Sequence, residues 1–350
     1  MDRGNASLLL LLAVALAGCK PIGPRPLRRD QPHHLVLGAV EATEARFLAV
    51  DLSKSPPAFA PVVTVPDAVT LEDAREVDAQ EPLATHVGAE LFVVTRRGGD
   101  AEVLRIQPDG KRSRLHTSLR LFTSRLTPRP LRVVGQRLFL VTKEEILSTR
   151  LDDPSPSLES LDTSGFDHFA TLTGELVTSH DLRIGDPFDW QLFRLQGSGS
   201  LDPVGRLAHA LLEDVVAVDG EDGANDGLLF VKGRGIRSIF RTRGKRVAEP
   251  EAVLDEEKGS VRALAVLGNE LLLCGDLLSA VPVAFDGSTD PRGVQELPCN
   301  DVAKRGPAAW ALVGANPQKL VRLETDGSGQ ARAVASYPVP GTATWHSILR

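Results

Sequence analysis

The feature that most constrains the fold is a repeated pattern of short apolar runs separated by turn residues. Its clearest copy, at positions 83–117, contains four runs and three turns. Positions 91–94 are continuously apolar, which is typical of a strand buried on both faces. The final run, at positions 111–116, carries three cations, a common protection of an exposed sheet edge. The unit therefore predicts four strands, ordered from a buried interior to a charged rim.

Imitations of this unit recur along the chain. Positions 135–141 repeat positions 88–94, and weaker echoes begin near positions 174, 228, 268 and 309. A period of about 40 to 50 residues is typical of propeller blades. We predict an all-β fold, a β-propeller of four-stranded antiparallel blades, with seven blades favoured over six or eight. Positions 342–349 offer one more strand to complete the first blade. The alternative is a β-sandwich or an irregular all-β domain.

Length and composition agree with one β domain over residues 35–350. The chain has 350 residues, of which 42% are hydrophobic, and its 31 Gly and 24 Pro are spread along it as turn punctuation. A formal net charge of −6, with one Tyr and three Trp, argues against a nucleic-acid partner.

The N-terminus carries a specific motif. Positions 8–16 form an apolar stretch too short to span a bilayer, and it runs directly into Leu16, Ala17, Gly18 and Cys19. This motif resembles the bacterial lipobox. The resemblance implies a signal peptide at 1–18 and lipidation of Cys19. The alternative is an ordinary cleaved signal peptide with an incidental cysteine.

The polar, Pro- and Arg-rich positions 19–34 are predicted to be a flexible tether. The lipobox and the repeat period together resemble the bacterial propeller lipoproteins, such as the propeller component of the outer-membrane assembly machinery. This resemblance implies a location in the bacterial cell envelope. The domain would be anchored by lipid to the inner or outer membrane, in the periplasm or on the cell surface. It also implies a binding or scaffolding module for an envelope protein or peptide.

Basic or titratable residues lie near the predicted starts of successive first strands. If the repeat registers hold, they form a ring at the mouth of the central channel that attracts anionic ligands. Ordinary solvated side chains are the alternative. The residues are His86, Arg132, His168, His209, Arg262 and Lys304.

Two segments raise the question of a metal. His180, Asp181 and Asp186 lie in a predicted loop that His168 could join, and two His with a carboxylate can hold a divalent metal. Such a site would make the protein a metal-dependent hydrolase or lyase. Positions 219–227 carry four acids and loosely resemble the calcium loops of integrin-type propeller repeats. We expect solvated turns at both places, and therefore no cofactor.

Two cysteines remain after Cys19. Cys274 falls at the end of a predicted second strand and Cys299 in the link that crosses the same face, so an exported protein could pair them. Two free thiols are the alternative. The chain contains no nucleophile elbow, phosphate loop or H-E-x-x-H motif. We therefore expect a binding module rather than an enzyme, and the sequence does not indicate an oligomeric state.

Overall fold

The structure is a computed structural model, and it describes most of the chain after residue 34. For some of these residues only the backbone path is described. The described residues are 35–41, 43–70, 82–98, 100–115, 126–153, 156–171, 175–181, 190–207, 215–218, 228–232, 237–243, 246–247, 252–254, 261–283, 291–315, 317–341, 343 and 345–348. Within these ranges the regular elements are all strands, and no helix long and apolar enough to cross a membrane is found.

The strands form sheets that we number along the chain. The first contains β1 (Leu35–Glu41), β2 (Glu44–Asp51) and β3 (Ala58–Pro66). The second contains β4 (Ala84–Val87), β5 (Glu90–Arg97), β6 (Asp100–Ile106) and β7 (Arg112–Leu115). The third contains β8 (Leu126–Val134), β9 (Arg137–Thr142), β10 (Ile146–Arg150) and β11 (Glu159–Ser160). The fourth contains β12 (Phe166–Thr171), β13 (Leu176–Asp181), β14 (Trp190–Leu195) and β15 (Leu201–Leu207).

The remaining sheets follow the same plan. The fifth contains β16 (Val215–Val218), β17 (Leu228–Lys232), β18 (Arg237–Arg243), β19 (Arg246–Val247) and β20 (Ala252–Leu254). The sixth contains β21 (Val261–Leu267), β22 (Glu270–Gly275), β23 (Leu278–Pro282) and β24 (Arg292–Gln295). The seventh contains β25 (Cys299–Arg305), β26 (Ala308–Val313), β27 (Lys319–Thr325) and β28 (Ala331–Pro338). Strand β29 (Trp345–Ile348) returns to the first sheet and pairs with β1.

The described strands form six four-stranded antiparallel sheets and one sheet of five strands. Strand order follows the chain in the four-stranded sheets except the first, where the C-terminal β29 takes the place beside β1 that the first strand has elsewhere. In the fifth sheet β20 pairs with β18 and not with β19. First strands of successive sheets contact one another, as β4 with β8 and β21 with β25, and β25 contacts β29. The fold is an all-β propeller, as predicted, and the sandwich alternative is wrong.

The second strand of each well-described sheet is the most buried because it lies between two neighbours in its own sheet and packs on both faces. Every residue of β22 and β26 is buried. The sequence of β26 is continuously apolar, and that of β22 is apolar between Glu270 and Gly275. The hairpin before β22 turns at Gly268, whose φ is +60°, a conformation that glycine adopts without a steric penalty. The strand prediction from apolar runs is therefore confirmed here.

Apolar cores lie between successive sheets. One cluster joins the first and second sheets through Val36, Phe47 and Leu91, and another joins the second and third through Phe92 and Leu138. A further apolar cluster joins the last sheet of the chain to the first. Leu35 and Leu37 of the first sheet pack with Trp310, Leu312 and Leu320 of the seventh, so the last sheet meets the first.

The propeller has two faces. The innermost strands begin at one face, which we call the link face. It also carries the links between sheets and the turns between second and third strands. The opposite end is the hairpin face, where the innermost strands end. Since β29 ends at Ile348 and Leu35 pairs with Ile348, the described chain begins at the hairpin face.

The predicted direction of the second sheet, from interior to rim, is confirmed. Strand β4 is innermost, whereas β7 is the outer edge and exposes Arg112 and Arg114. Arg114 forms an ion pair with Glu102 at 2.8 Å, and the Arg112 guanidinium donates to the Thr64 carbonyl of the first sheet at 3.2 Å. Cations at the edge thus discourage strand addition and also join neighbouring sheets.

Candidate interaction face

A disulfide on the link face joins the sixth and seventh sheets. Cys274, near the end of β22, is bonded to Cys299, the first residue of β25, with an S–S distance of 1.98 Å and a Cα–Cα distance of 5.0 Å. Both residues are fully buried. The sequence left open whether these cysteines form a disulfide or remain free thiols, and in the structure they form a disulfide.

Hydrogen bonds fix the segments around this disulfide. The Gly275 amide donates to the Leu277 carbonyl at 3.1 Å, which closes the turn between β22 and β23. The Gly314 amide donates to the Pro298 carbonyl at 2.7 Å, and the Asn300 side-chain amide donates to the Gly314 carbonyl at 3.0 Å. We call three segments the cross-linked ledge: residues 275–277, residues 296–300 and the described residues 314–315 and 317–318.

The ledge presents an exposed apolar side chain. Leu277 is 48% exposed, and among the described residues the other exposed large apolar side chain is Val334, at 52%, on the outer strand β28. Leu278 pairs with Gln295 in the ladder between β23 and β24, so Glu296 lies beside Leu277. Asp276 and Glu296 are both exposed. Leu277 is therefore flanked by two carboxylates on a fixed backbone.

On the hairpin face, β25 ends in two partly buried cations. Burial lowers the pKa of Lys304 and that of Arg305, because removing a charged group from water disfavours its charged form. A guanidinium has so high an ordinary pKa that Arg305 stays charged at neutral pH.

The predicted ring of basic residues at the channel mouth does not form at one level. His86 pairs with Leu91, and Lys304 pairs with Ala309. Each is the second pair counted from the hairpin turn, so both residues lie towards the hairpin face. Arg132 pairs with Phe139, the third pair counted from its hairpin turn. Because side chains alternate along a strand, Arg132 points to the side of its sheet opposite to that of His86 and Lys304. His86 is buried.

The other predicted members of the ring lie at other levels or outside the described residues. Arg262 lies at an irregularity near the start of β21, on the link face, and His168 at an irregularity within β12. The prediction of a shared level is wrong because Arg262 lies at the opposite end of its strand from His86 and Lys304. Arg132 is displaced by one residue, which turns its side chain to the other side of the sheet. His209 and Cys19 lie outside the described residues.

The predicted metal ligands are partly outside the described structure. His180 pairs with Asp167 and Asp181 with Phe166, so these backbones share the link-face end of the fourth sheet. The side chains of His180, Asp181 and His168 lie outside the described part, as do Asp186 and positions 219–227 altogether. Among the side chains that are described, no group of three or more His, Cys, Asp or Glu could hold a metal ion.

Sequence reasoning missed the ledge. Leu277 adjoins Leu278, the first residue of β23, and the sequence alone does not distinguish it from a buried residue of that strand. The signal available in advance was its place directly after Gly275 and Asp276, where a two-residue turn exposes its members. Glu296 became a neighbour only through the pairing of β23 with β24.

Comparison with solved structures shows the fold. The chain is similar to Hsv2p from Kluyveromyces lactis at a TM-score of 0.52 and 11% identity, over 92% of this chain and 100% of that one. A second Kluyveromyces lactis Hsv2 structure gives 0.53 and 11%, over 90% and 98%. BamB from Moraxella catarrhalis gives 0.46 and 9%, over 91% and 86%. No family model and no curated protein sequence matches the chain.

Proposed function

We propose that this protein is a lipid-anchored lipoprotein of the bacterial cell envelope whose propeller is a protein- or peptide-binding module. The observation that carries the proposal is the buried disulfide between the sixth and seventh sheets. Structural disulfides form in oxidising compartments, and export to one is what the Leu16 to Cys19 motif implies. The propeller fold supports the binding role because its faces present loops from several sheets on a rigid scaffold.

Fatty-acid labelling tests the anchor. The full chain is expressed in a bacterial host supplied with labelled palmitate, beside Cys19→Ser and the matched control Cys274→Ala. We expect the wild type and Cys274→Ala to be labelled and to sediment with membranes, and Cys19→Ser to be unlabelled. An unlabelled wild type, or a Cys19→Ser variant that carries the same label, would contradict the anchor.

We infer that the ring has seven blades, with the five-stranded fifth sheet as one of them. Strand β19 pairs with Thr242 and Arg243 of β18, whereas β20 pairs with the stretch from Arg237 to Ile239. The two short strands therefore occupy one outer position in succession. An experimental structure checks the count, and a ring with six innermost strands would overturn it.

The alternative function is a metal-dependent hydrolase or lyase. The observation in its favour is that the ladder brings the backbones of His180 and Asp181 beside β12, which contains His168. Metal analysis of protein purified without chelator separates the two functions. One tightly held divalent ion per chain, lost in His168→Ala and His180→Ala, would favour the enzyme over a pure binding module.

A further inference from the structure

The described chain enters the propeller on the face opposite to the ledge. Leu35 pairs with Ile348 at the end of β29, on the hairpin face, whereas the disulfide and Leu277 lie on the link face. Any segment before residue 35 is therefore joined to the hairpin face. If that segment carries a lipid anchor, as proposed above, the link face lies opposite the point of attachment and is open to partners.

The ledge is held in place before any partner binds. The disulfide fixes Cys274 to Cys299, and the bonds from Gly314 and Asn300 fix the third segment. A fixed backbone loses little conformational entropy on association, which favours affinity for a given contact area. An exposed leucine on such a backbone has the properties of an interface anchor.

The charge of the link face defines the partner. Among the described turn and link residues of this face, Lys143 is the basic one, and the acidic ones outnumber it. They are Asp67, Glu144, Glu145, Asp162, Asp276 and Glu296. Arg96 and Arg97, at the end of β5, add cations at the second sheet, and Arg97 lies 3.5 Å from Glu102. Lys319, exposed at the start of β27, adds one cation beside the third segment of the ledge. Near Leu277 the flanking residues Asp276 and Glu296 are acidic.

We propose that the cross-linked ledge docks a segment of a partner protein in which an apolar side chain is flanked by Lys or Arg. Leu277 supplies the apolar contact, and Asp276 and Glu296 supply the charge complementarity. The same carboxylates repel anionic lipid headgroups, which favours a protein over a membrane as the occupant. This inference rests on the proposed binding role and names the face and the chemistry of the partner.

The test is a selection of random 12-residue peptides displayed on phage against the purified full chain in detergent. The variant is Leu277→Ser. The matched control is Val334→Ser, which removes the other exposed large apolar side chain of the described residues, on the rim. We expect peptides with Lys or Arg beside a large apolar residue, binding the wild type and Val334→Ser equally and Leu277→Ser about tenfold more weakly.

A second variant separates charge from apolar contact. The double substitution Asp276→Asn and Glu296→Gln keeps Leu277, and should weaken the same peptides and reduce the salt dependence of their binding. Acidic or neutral selected peptides, no selected peptide, or equal binding to Leu277→Ser would overturn the proposal. So would a Leu277-dependent dimer in sedimentation or Leu277-dependent binding to anionic vesicles. None of these results depends on the labelling of Cys19, so the two proposals fail separately.

Discussion

At the scale of single residues, the turn after β27 shows how a side chain replaces missing backbone partners. One carboxylate oxygen of Asp326 accepts from the Ser328 amide at 2.8 Å, the Ser328 hydroxyl at 2.6 Å and the Gln330 amide at 3.1 Å. Arg332 lies 2.7 Å from the other oxygen. These interactions, with the Ser328 hydroxyl first, lower the pKa of Asp326 to about 2.

Because the pKa of Asp326 is lower in the folded chain, its contribution to stability is present above the ordinary pKa and is lost as pH falls from about 4 through 2. Ser328→Ala removes the largest cause and should raise this pKa towards its ordinary value. An NMR titration of the Asp326 carboxyl carbon measures it. Ser198→Ala, whose hydroxyl contacts Ser200, is the control and should leave the titration unchanged.

Two glycines at the same position of the repeat should differ in their tolerance of alanine. Gly88 and Gly268 both have positive φ, +54° and +60°. A Cβ at Gly88 meets nothing within 4 Å, whereas one at Gly268 would lie 2.3 Å from Thr325 Cγ2 and 2.7 Å from the Gly329 carbonyl oxygen.

We therefore expect Gly88→Ala to cost about 1 kcal/mol in backbone strain and Gly268→Ala about 2 kcal/mol more from overpacking. Denaturant unfolding of the two variants gives the difference. Equal losses would show that the seventh sheet yields to a methyl group at this contact.

At the scale of elements, a buried carboxylate joins the sixth sheet to the seventh. Glu270, at the start of β22, accepts from Arg292 Nη2 at 2.7 Å and from the Ala331 amide of β28 at 2.6 Å. Arg292 also donates to the Ala331 carbonyl at 2.9 Å. Glu90 occupies the same repeat position in β5, and its partner Arg105 belongs to the same sheet.

Glu270→Ala should therefore destabilise the fold by about 3 kcal/mol, because it leaves a buried amide without an acceptor and removes the carboxylate partner of the partly exposed Arg292. Glu90→Ala should cost less, about 1 kcal/mol, since it interrupts no contact between sheets. Unfolding curves measure both values. A larger loss for Glu90→Ala would mean that pairing within a sheet matters more than the join between sheets.

The elements were predictable where the sequence repeats its own pattern. Runs such as those around Leu91, Leu138 and Leu271 fix second strands, and the glycines before them fix hairpins. The irregularities at Asp167 and Val261 left no such signal, because an extra residue in a strand changes the alternation without changing composition. The strands could therefore be predicted, whereas the ring of basic side chains, which needs every register correct, could not.

At the scale of the molecule, the ends of the chain hold the ring together. Strand β29 pairs with β1, so the first and last described strands share the first sheet, as predicted from positions 342–349. The link that leads to β29 is fixed from the seventh sheet. The Gln318 side-chain amide donates to the Ala343 carbonyl and its oxygen accepts from the Ala343 amide. Gln318 is buried, so both bonds are shielded from water.

Gln318→Ala should destabilise the propeller by about 3 kcal/mol, because two buried backbone groups at Ala343 lose their partners. Opening should begin at the join, since the apolar cores between the other sheets are unchanged. Hydrogen exchange should show β1 and β29 exchanging faster than β9 and β22, which keep their protection. Gln330→Ala, an exposed side chain on the same sheet, is the control and should change neither measurement. Equally faster hydrogen exchange in all sheets would show instead that the ring opens as one cooperative unit. Gln318 would then not stabilise the join between the seventh and first sheets locally.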